Sequence, residues 1–420
     1  MDIVPQPFQT TYLSDSYQTI TINTQLEVIG NTDKLNSVLC VVKEQLFNEV
    51  TSEAAGVLGE ENHYSNKIVI NLLSEYENKN EKIKNEKESY EIYSDTERKE
   101  VHIQALSHRG VFYAFQTLCQ ISASNNHRIG HFKIVDFPNT EWRGFHLDVA
   151  RHFLDLHFVK KLISLAAFYK LNRFHWHLTE DQGWRVEIKG HPLLTEIGAW
   201  RAVRTTHKEQ DRLKQEYRCE ICPNDPKERE YGGFYTQEEI KDVIQYAKLR
   251  NITVIPEIDI PGHSLSALAA YSFLGCKDES YQVETKWGIM DKVLCAGKQA
   301  TYQFYQDVFD EICALFPGKY IHIGGDECLK KRWKTCPNCQ DFMKNHSLNN
   351  EEELQRYFVE YFVNYLASKH NKIVVGWDEI LEGNLSNNGK VIIMAWRAWG
   401  NYLKQSLDSS FSLFHSLFIS

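Results

Sequence analysis

Tyr320-Ile-His-Ile-Gly-Gly-Asp-Glu327 decides how this chain is read: a short apolar strand passes through two glycines into adjacent carboxylates. Working outward, five more runs end in polar or aromatic groups. The candidate strands are 143–147, 173–178, 252–258, 320–323, 373–377 and 391–396, with amphipathic helices between them. Near-continuous apolar strands alternating with helices are the mark of a parallel sheet buried on both faces. The groups at their carboxyl ends are Asp148, then His175, His177, Glu180 and Asp181, then Glu257, Asp259 and His263, then Asp326 and Glu327. Trp377 and Asp378 follow the fifth run, Trp396 and Arg397 the sixth. Chemistry spread over many strand ends suits a barrel, whose loops converge on one mouth. A doubly wound sheet would concentrate it at one switch point, and no Gly-rich phosphate loop follows any strand. The expected fold is therefore α/β, a (β/α)8-type barrel.

Before that rhythm begins, the chain reads differently. Lys67-Ile-Val-Ile-Asn-Leu72 and Tyr90-Glu-Ile-Tyr93 against Val101-His-Ile-Gln-Ala105 suit half-buried strands, and 110–121 suits a helix. We expect a small accessory α+β domain over 1–136, the barrel over 137–400, and a Ser/Leu/Phe tail over 401–420. The 420 residues carry 47 basic and 56 acidic side chains, a net charge of −9 that argues against nucleic acid as a partner. Apolar runs stop short of a membrane span, and Met1-Asp-Ile-Val-Pro-Gln-Pro-Phe8 lacks the pattern of a secretory leader. An aromatic stripe from Leu354 through Tyr357, Phe358, Tyr361, Phe362, Tyr365 and Leu366 reads as helical core.

Asp326 and Glu327 are the first candidates for catalysis. On an extended segment adjacent side chains point apart, so they are expected to hold different roles; a neighbouring anion and partial burial should raise the Glu327 pKa, as a general acid needs. Asp259 stands where a carboxylate can orient the His263 imidazole. His146, His152, His175, His177, His263 and His322 could supply metal ligands, but none shows a compact ligand spacing, and no catalytic metal or other cofactor is expected. Trp142, Trp176, Trp184, Trp377 and Trp396 fall at or near strand ends, where indole faces can stack on sugars. Carboxylates without a nucleophile elbow, beside such indoles, favour glycoside hydrolysis.

Five segments then carry a resemblance. Trp142-Arg-Gly-Phe-His-Leu-Asp-Val-Ala-Arg-His-Phe153, Phe174-His-Trp-His-Leu-Thr-Glu-Asp-Gln-Gly-Trp184, Pro256-Glu-Ile-Asp-Ile-Pro-Gly-His263, His322-Ile-Gly-Gly-Asp-Glu327 and Gly376-Trp-Asp-Glu-Ile380 resemble the family 20 glycoside hydrolases, the β-N-acetylhexosaminidases. The resemblance implies exo-acting, retaining release of terminal β-linked N-acetylglucosamine or N-acetylgalactosamine, with the substrate's own acetamide as nucleophile. It implies Glu327 as acid and then base, and Asp326 as the group holding the acetamide N–H. Arg143 would bind sugar hydroxyls, Trp377 and Trp396 would wall the acetamide pocket, and Asp259 and His263 would tune Glu327. His177, Glu180 and Asp181 would support that tuning. Glu180 replaces the aspartate that many relatives carry, and its extra methylene should shift a hydrogen bond to His263.

Family barrels continue through two more strands with a tyrosine, a tryptophan and a glutamate for the sugar. Here the tail is expected to add at most one short strand, which leads us to expect an incomplete, six-stranded barrel from a C-terminally truncated product, weak in activity or reduced to binding N-acetylhexosamine. A metal-dependent hydrolase using the histidines is a further alternative. Partners are expected among N-acetylhexosamine glycans; the family suggests a periplasmic, secreted or lysosomal setting, and the sequence leaves oligomeric state open. Two Cys-x-x-Cys pairs, Cys219/Cys222 and Cys336/Cys339, are candidates for structural zinc, and Cys276 and Cys295 for a disulfide. Cys40, Cys119 and Cys313 read as buried hydrophobes.

Overall fold

The computed structural model describes residues 7, 9–12, 20–21, 24–29, 35, 41, 66–73, 87–95, 97–124, 128–202, 230–383, 385, 391–397, 412–414 and 417–419. It divides into two compact units, Met1–Arg143 with Lys160–Asn172 and Gln245–Ile252, and Gly144–Val159 with Arg173–Ile244 and Thr253–Ser420. Among the described residues no helix is long and apolar enough to cross a membrane.

The first unit holds a six-stranded mixed sheet in the order Gln9–Tyr12, Phe132–Asp136, Tyr90–Asp95, Glu100–Ala105, Asn66–Leu72, Thr24–Ile29. Tyr90–Asp95 and Glu100–Ala105 form the antiparallel pair read from their alternation, with Ile92 opposite Ile103. Alternate residues of both strands are buried, as a half-solvated sheet requires. Helix His108–Ser124 buries Phe112, Phe115 and Leu118 completely.

The second unit is built on parallel strands, here β1 Gly144–Asp148, β2 Arg173–His177, β3 Thr253–Glu257, β4 Tyr320–His322, β5 Ile373–Trp377 and β6 Val391–Met394. They run in that order as a curled, incomplete (β/α)8-type barrel. Phe174, Trp176, Val254, Ile255, Ile321, Val374, Val375 and Ile393 supply the apolar residues that made these segments legible, and all are buried. The tail contributes one strand more than expected. β7 Ser412–Phe414 lies parallel to β6, and β8 Leu417–Ile419 lies parallel to β1. Two three-residue strands in the tail thus answer the backbone groups that a parallel sheet leaves open at both edges. β7 and β8 end the strand order at opposite sides.

Local chemistry fixes the connecting helices. Glu239 accepts from the Thr236 amide at 2.8 Å while Thr236 Oγ1 accepts from the Glu239 amide at 3.2 Å, a reciprocal cap that starts helix Gln237–Leu249. Asn350 caps helix Glu351–His370, which ends at Asn371 in the left-handed conformation. Leu354, Phe358, Phe362 and Leu366 are its buried stripe. Tyr357, Tyr361 and Tyr365, read as core, are only half-buried. For two of them the hydroxyl explains it: Tyr361 accepts from Gln306 at 2.8 Å and Tyr365 donates to Asp310 at 2.6 Å.

Candidate active site

Strand register lays out the floor of the site. Asp148 is level with His177, His177 with Glu257, and Glu257 with His322. Laterally paired residues share a face of the sheet, so these side chains form one row at the carboxyl ends of β1 to β4. Glu257 is fully buried, with His175 Nε2 at 2.7 Å, His322 Nδ1 at 3.0 Å and His177 Nδ1 at 3.3 Å. Trp377 Nε1 donates to it at 2.9 Å. Burial alone would push its pKa up, but His177, His322 and His175 outweigh it and hold the carboxyl well below the ordinary range. Burial drives the proton off His175. It opposes charge on His177 too, yet Glu257 and Asp148 overcome it and raise that pKa. Four of the six histidines raised as metal candidates, His146, His175, His177 and His322, therefore face one carboxylate.

Above this floor the chain after β4 turns through glycines. Gly324 and Gly325 have φ of 66° and 94°, and Glu327 itself 47°. A Cβ on Gly324 would fall 1.8 Å from Asp259 Oδ1, and one on Gly325 would fall 2.2 Å from Ile380 Cγ2. Only glycine permits this path. The segment is thus not extended, and the two carboxylates do not part as expected. Asp326 Oδ2 and Glu327 Oε2 both lie 3.4 Å from His263 Nε2. They keep 15% and 27% of their side-chain exposure, against 2% for His263, so the imidazole is sealed beneath two groups that meet solvent.

The other face of that imidazole is also acidic. His263 Nδ1 lies 2.7 Å from Glu180 Oε1 and 3.6 Å from Asp181 Oδ2. Burial opposes its charge, but Glu180 and Asp326 prevail and set the His263 pKa well above that of a free imidazole. His263 Nε2, 3.4 Å away, in turn pulls Glu327 below the ordinary carboxylate pKa. This reverses the expected rise: the charged neighbour that counts is a cation. Glu180 Oε1 also receives Arg151 Nη2 at 2.5 Å, and Arg151 Nη1 reaches Asp148 Oδ2 at 2.6 Å. Asp181 accepts from the Leu265 amide at 2.9 Å, tying the loop after β2 to helix Leu265–Ala270.

Asp259 does not orient the imidazole. Its Oδ1 accepts from the Gly325 amide at 3.1 Å and its own amide donates to Thr179 Oγ1 at 2.9 Å. Burial first, then Asp326, pushes its pKa well up. Asp259 braces the glycine turn, and Glu180 takes the place beside His263.

The structure also relocates the arginine. Arg143 precedes β1, at the strand end opposite Asp148, and its guanidinium is held by Glu88 at 2.6 Å and the carbonyls of Lys170 at 2.9 Å and Thr140 at 2.7 Å. Arg151, eight residues on in the same motif and just past the carboxyl end of β1, is the arginine among the carboxylates. The barrel rule itself carried that signal, since function gathers at carboxyl ends.

The tryptophans divide in the same way. Trp176 and Trp184 are core and Trp377 is 6% exposed, whereas Trp396 is 43% exposed. Trp396 Nε1 donates to Glu379 at 3.0 Å, and Arg397 Nε donates to Asp378 at 2.7 Å. Glu379, passed over although it stands in the quoted 376–380 segment, is raised to about 7 by burial, with Asp326 adding to the rise. Trp287, 53% exposed and likewise unread, stacks its indole 5.9 Å from the Arg151 guanidinium.

Cys219 and Cys222 lie outside the described residues. Cys336 and Cys339 meet Cys295 at 3.7 and 3.6 Å instead, and Cys276 and Cys295 are free thiols rather than a disulfide. Cys119 and Cys313 are buried, as read; Cys40 lies outside the described residues.

Comparison with known proteins matches residues 140–417 to the catalytic domain of glycosyl hydrolase family 20 and residues 1–137 to domain 2 of that family. The chain belongs to glycosyl hydrolase family 20. The β-hexosaminidase of Porphyromonas gingivalis is 39% identical over 406 residues, 94% of this chain and 47% of that protein. The β-hexosaminidase of Vibrio furnissii is 42% identical over 317 residues, 74% of this chain and 50% of that protein. Among solved structures, the family 20 exo-β-N-acetylglucosaminidase of Vibrio harveyi in complex with N-acetylglucosamine superposes with a TM-score of 0.78 at 32% identity, over 98% of this chain and 60% of that one. The β-N-acetylhexosaminidase of Bacteroides fragilis gives 0.75 at 29% identity, over 98% and 74%. This family 20 chain spans about half the length of these two curated relatives.

Proposed function

We propose that this chain carries the proton-transfer centre of an exo-acting β-N-acetylhexosaminidase that releases terminal N-acetylglucosamine or N-acetylgalactosamine with retention. The observation that carries the reading is the convergence of Asp326 and Glu327 on one buried imidazole at the carboxyl ends of a family 20 barrel. The hexosaminidase names of its relatives support the substrate class.

The free site stores a proton on His263 beside an ionised Glu327. A sugar filling the mouth strips water from Glu327, and desolvation raises its pKa until the proton passes to it. Glu327 then protonates the glycosidic oxygen as the C1–O bond breaks. The 2-acetamido carbonyl oxygen closes on C1 to form an oxazolinium, while Asp326 accepts the acetamide N–H and offsets the positive charge. Water next attacks C1, gives its proton to Glu327 and restores the acetamide; two inversions yield retention. Arg151, held on two carboxylates with 23% of its side chain exposed, is placed to donate its remaining N–H groups to sugar hydroxyls. Trp396 offers an exposed indole face, and Trp377 is a buried indole beside the histidine row.

Following product formation from an aryl β-N-acetylglucosaminide by NMR tests this directly. The reading requires the β-anomer of free N-acetylglucosamine to appear first and Asp326→Asn to suppress turnover. First appearance of the α-anomer, or an unimpaired D326N, would overturn it.

A further inference from the structure

Four cysteines unused by this chemistry meet at the root of a loop in the second unit. Cys276 and Cys295 flank residues 277–294, whose ends are joined by an antiparallel bridge between Gly275 and Leu294 and by the Cys295 amide donating to Leu274 O at 2.8 Å. Cys336 and Cys339 bracket the first turn of helix Pro337–Asn345. The two pieces are pressed together at backbone level. Trp333 Nε1 donates to Leu294 O at 2.8 Å, and a Cβ on Gly297 would fall 2.3 Å from Asn338 O.

The sulfurs have the spacing of a ligand set. Cys276 and Cys339 are 3.9 Å apart, Cys295 and Cys336 3.7 Å, and Cys295 and Cys339 3.6 Å, and all four lie within 4.8 Å of one another. A disulfide needs a separation of about 2.05 Å. Four thiolates at about 2.3 Å from a tetrahedral zinc stand about 3.8 Å from each other. Cys295, Cys336 and Cys339 are buried, leaving little room for an open coordination position. We propose that Cys276, Cys295, Cys336 and Cys339 bind one zinc ion in a closed, structural site.

The site has a purpose in the fold. The loop it anchors docks on the strand-end segment that supplies Glu180 and Asp181: the Glu284 amide donates to Asp181 O at 2.9 Å, and Gln182 Nε2 donates to Lys286 O at 2.9 Å. Immediately after these contacts the loop carries Trp287 to Arg151 and to His152, whose ring is 5.7 Å away. Zinc at the root therefore holds an exposed indole beside the mouth. Only this consequence rests on the proposed hydrolase reading; zinc binding itself does not.

The test is metal analysis of the full chain, purified without a His-tag from zinc-supplemented medium. One zinc per chain is expected, undiminished in Cys219→Ser/Cys222→Ser and lost in Cys336→Ser/Cys339→Ser. Replacement by cobalt should give the intense visible bands of a tetrahedral thiolate complex in the unmutated chain, a result that does not depend on the double variant folding. A zinc-free chain with four reactive thiols, two disulfides by mass, or zinc lost in the Cys219/Cys222 variant would overturn the proposal.

Discussion

His263 Nε2 lies 3.4 Å from Glu327 Oε2: Glu180 and Asp326 hold the imidazole protonated, and the imidazole in turn holds the Glu327 carboxyl ionised. One proton serves both. The active free enzyme then carries its proton on His263, so the alkaline limb of kcat/KM should fall above the ordinary imidazole value of about 6.5. In His263→Asn the proton must reside on Glu327, freed from the cation that lowers its pKa. The limb should then move down toward the carboxylate range, with a loss of about 100-fold in kcat at neutral pH. A pH profile that does not move would separate His263 from the proton path.

The two arginines of the Trp142–Phe153 segment should behave differently. Arg151→Lys keeps the charge but loses the fork that spans Asp148 and Glu180, and kcat/KM should drop by about 10- to 100-fold. Arg143→Ala removes bonds to Glu88 and two carbonyls, and denaturant titration should show about 1–3 kcal/mol less stability with kcat/KM within a few-fold of the unmutated chain. Equal kinetic damage from both would refute the reassignment.

Glu257 should matter for stability more than for turnover alone. Four imidazoles and the Trp377 indole face it, and Glu257→Ala would leave them buried without their anion, at a cost of about 3–5 kcal/mol. Its folded pKa is depressed, so its contribution is fully present above the unfolded value of about 4.3 and is lost as pH falls through the folded value. Denaturation midpoints of the two proteins should therefore converge in acid; a gap that stays constant to low pH would contradict the ion-pair account.

Strands β1 to β6 were legible because burial on both faces demands apolar runs, and the site was legible because polar groups interrupt those runs at one end. What was missed depends on geometry that spacing does not encode. The positive φ values of Gly324, Gly325 and Glu327 fold an adjacent pair onto one imidazole, where an extended reading sends the side chains apart. Asp259 sits four residues from His263, yet the Gly325 amide claims it and Glu180 arrives from another strand end. Spacing grouped Cys336 and Cys339 with the similar pair Cys219/Cys222; the sulfurs that meet them come from a loop some forty to sixty residues earlier, through tertiary approach alone. The tail strands β7 and β8 were hard to read because each is only three residues long.

The role of Glu327 is tested most directly by leaving-group dependence in Glu327→Gln. General-acid help matters little when the departing phenol is already acidic and much when it is not. With a series of aryl β-N-acetylglucosaminides, the account predicts that E327Q loses about 100-fold or more on phenols of high pKa and far less on the most acidic one, steepening the dependence of rate on phenol pKa. A uniform loss across the series, or none, would contradict Glu327 as the proton donor.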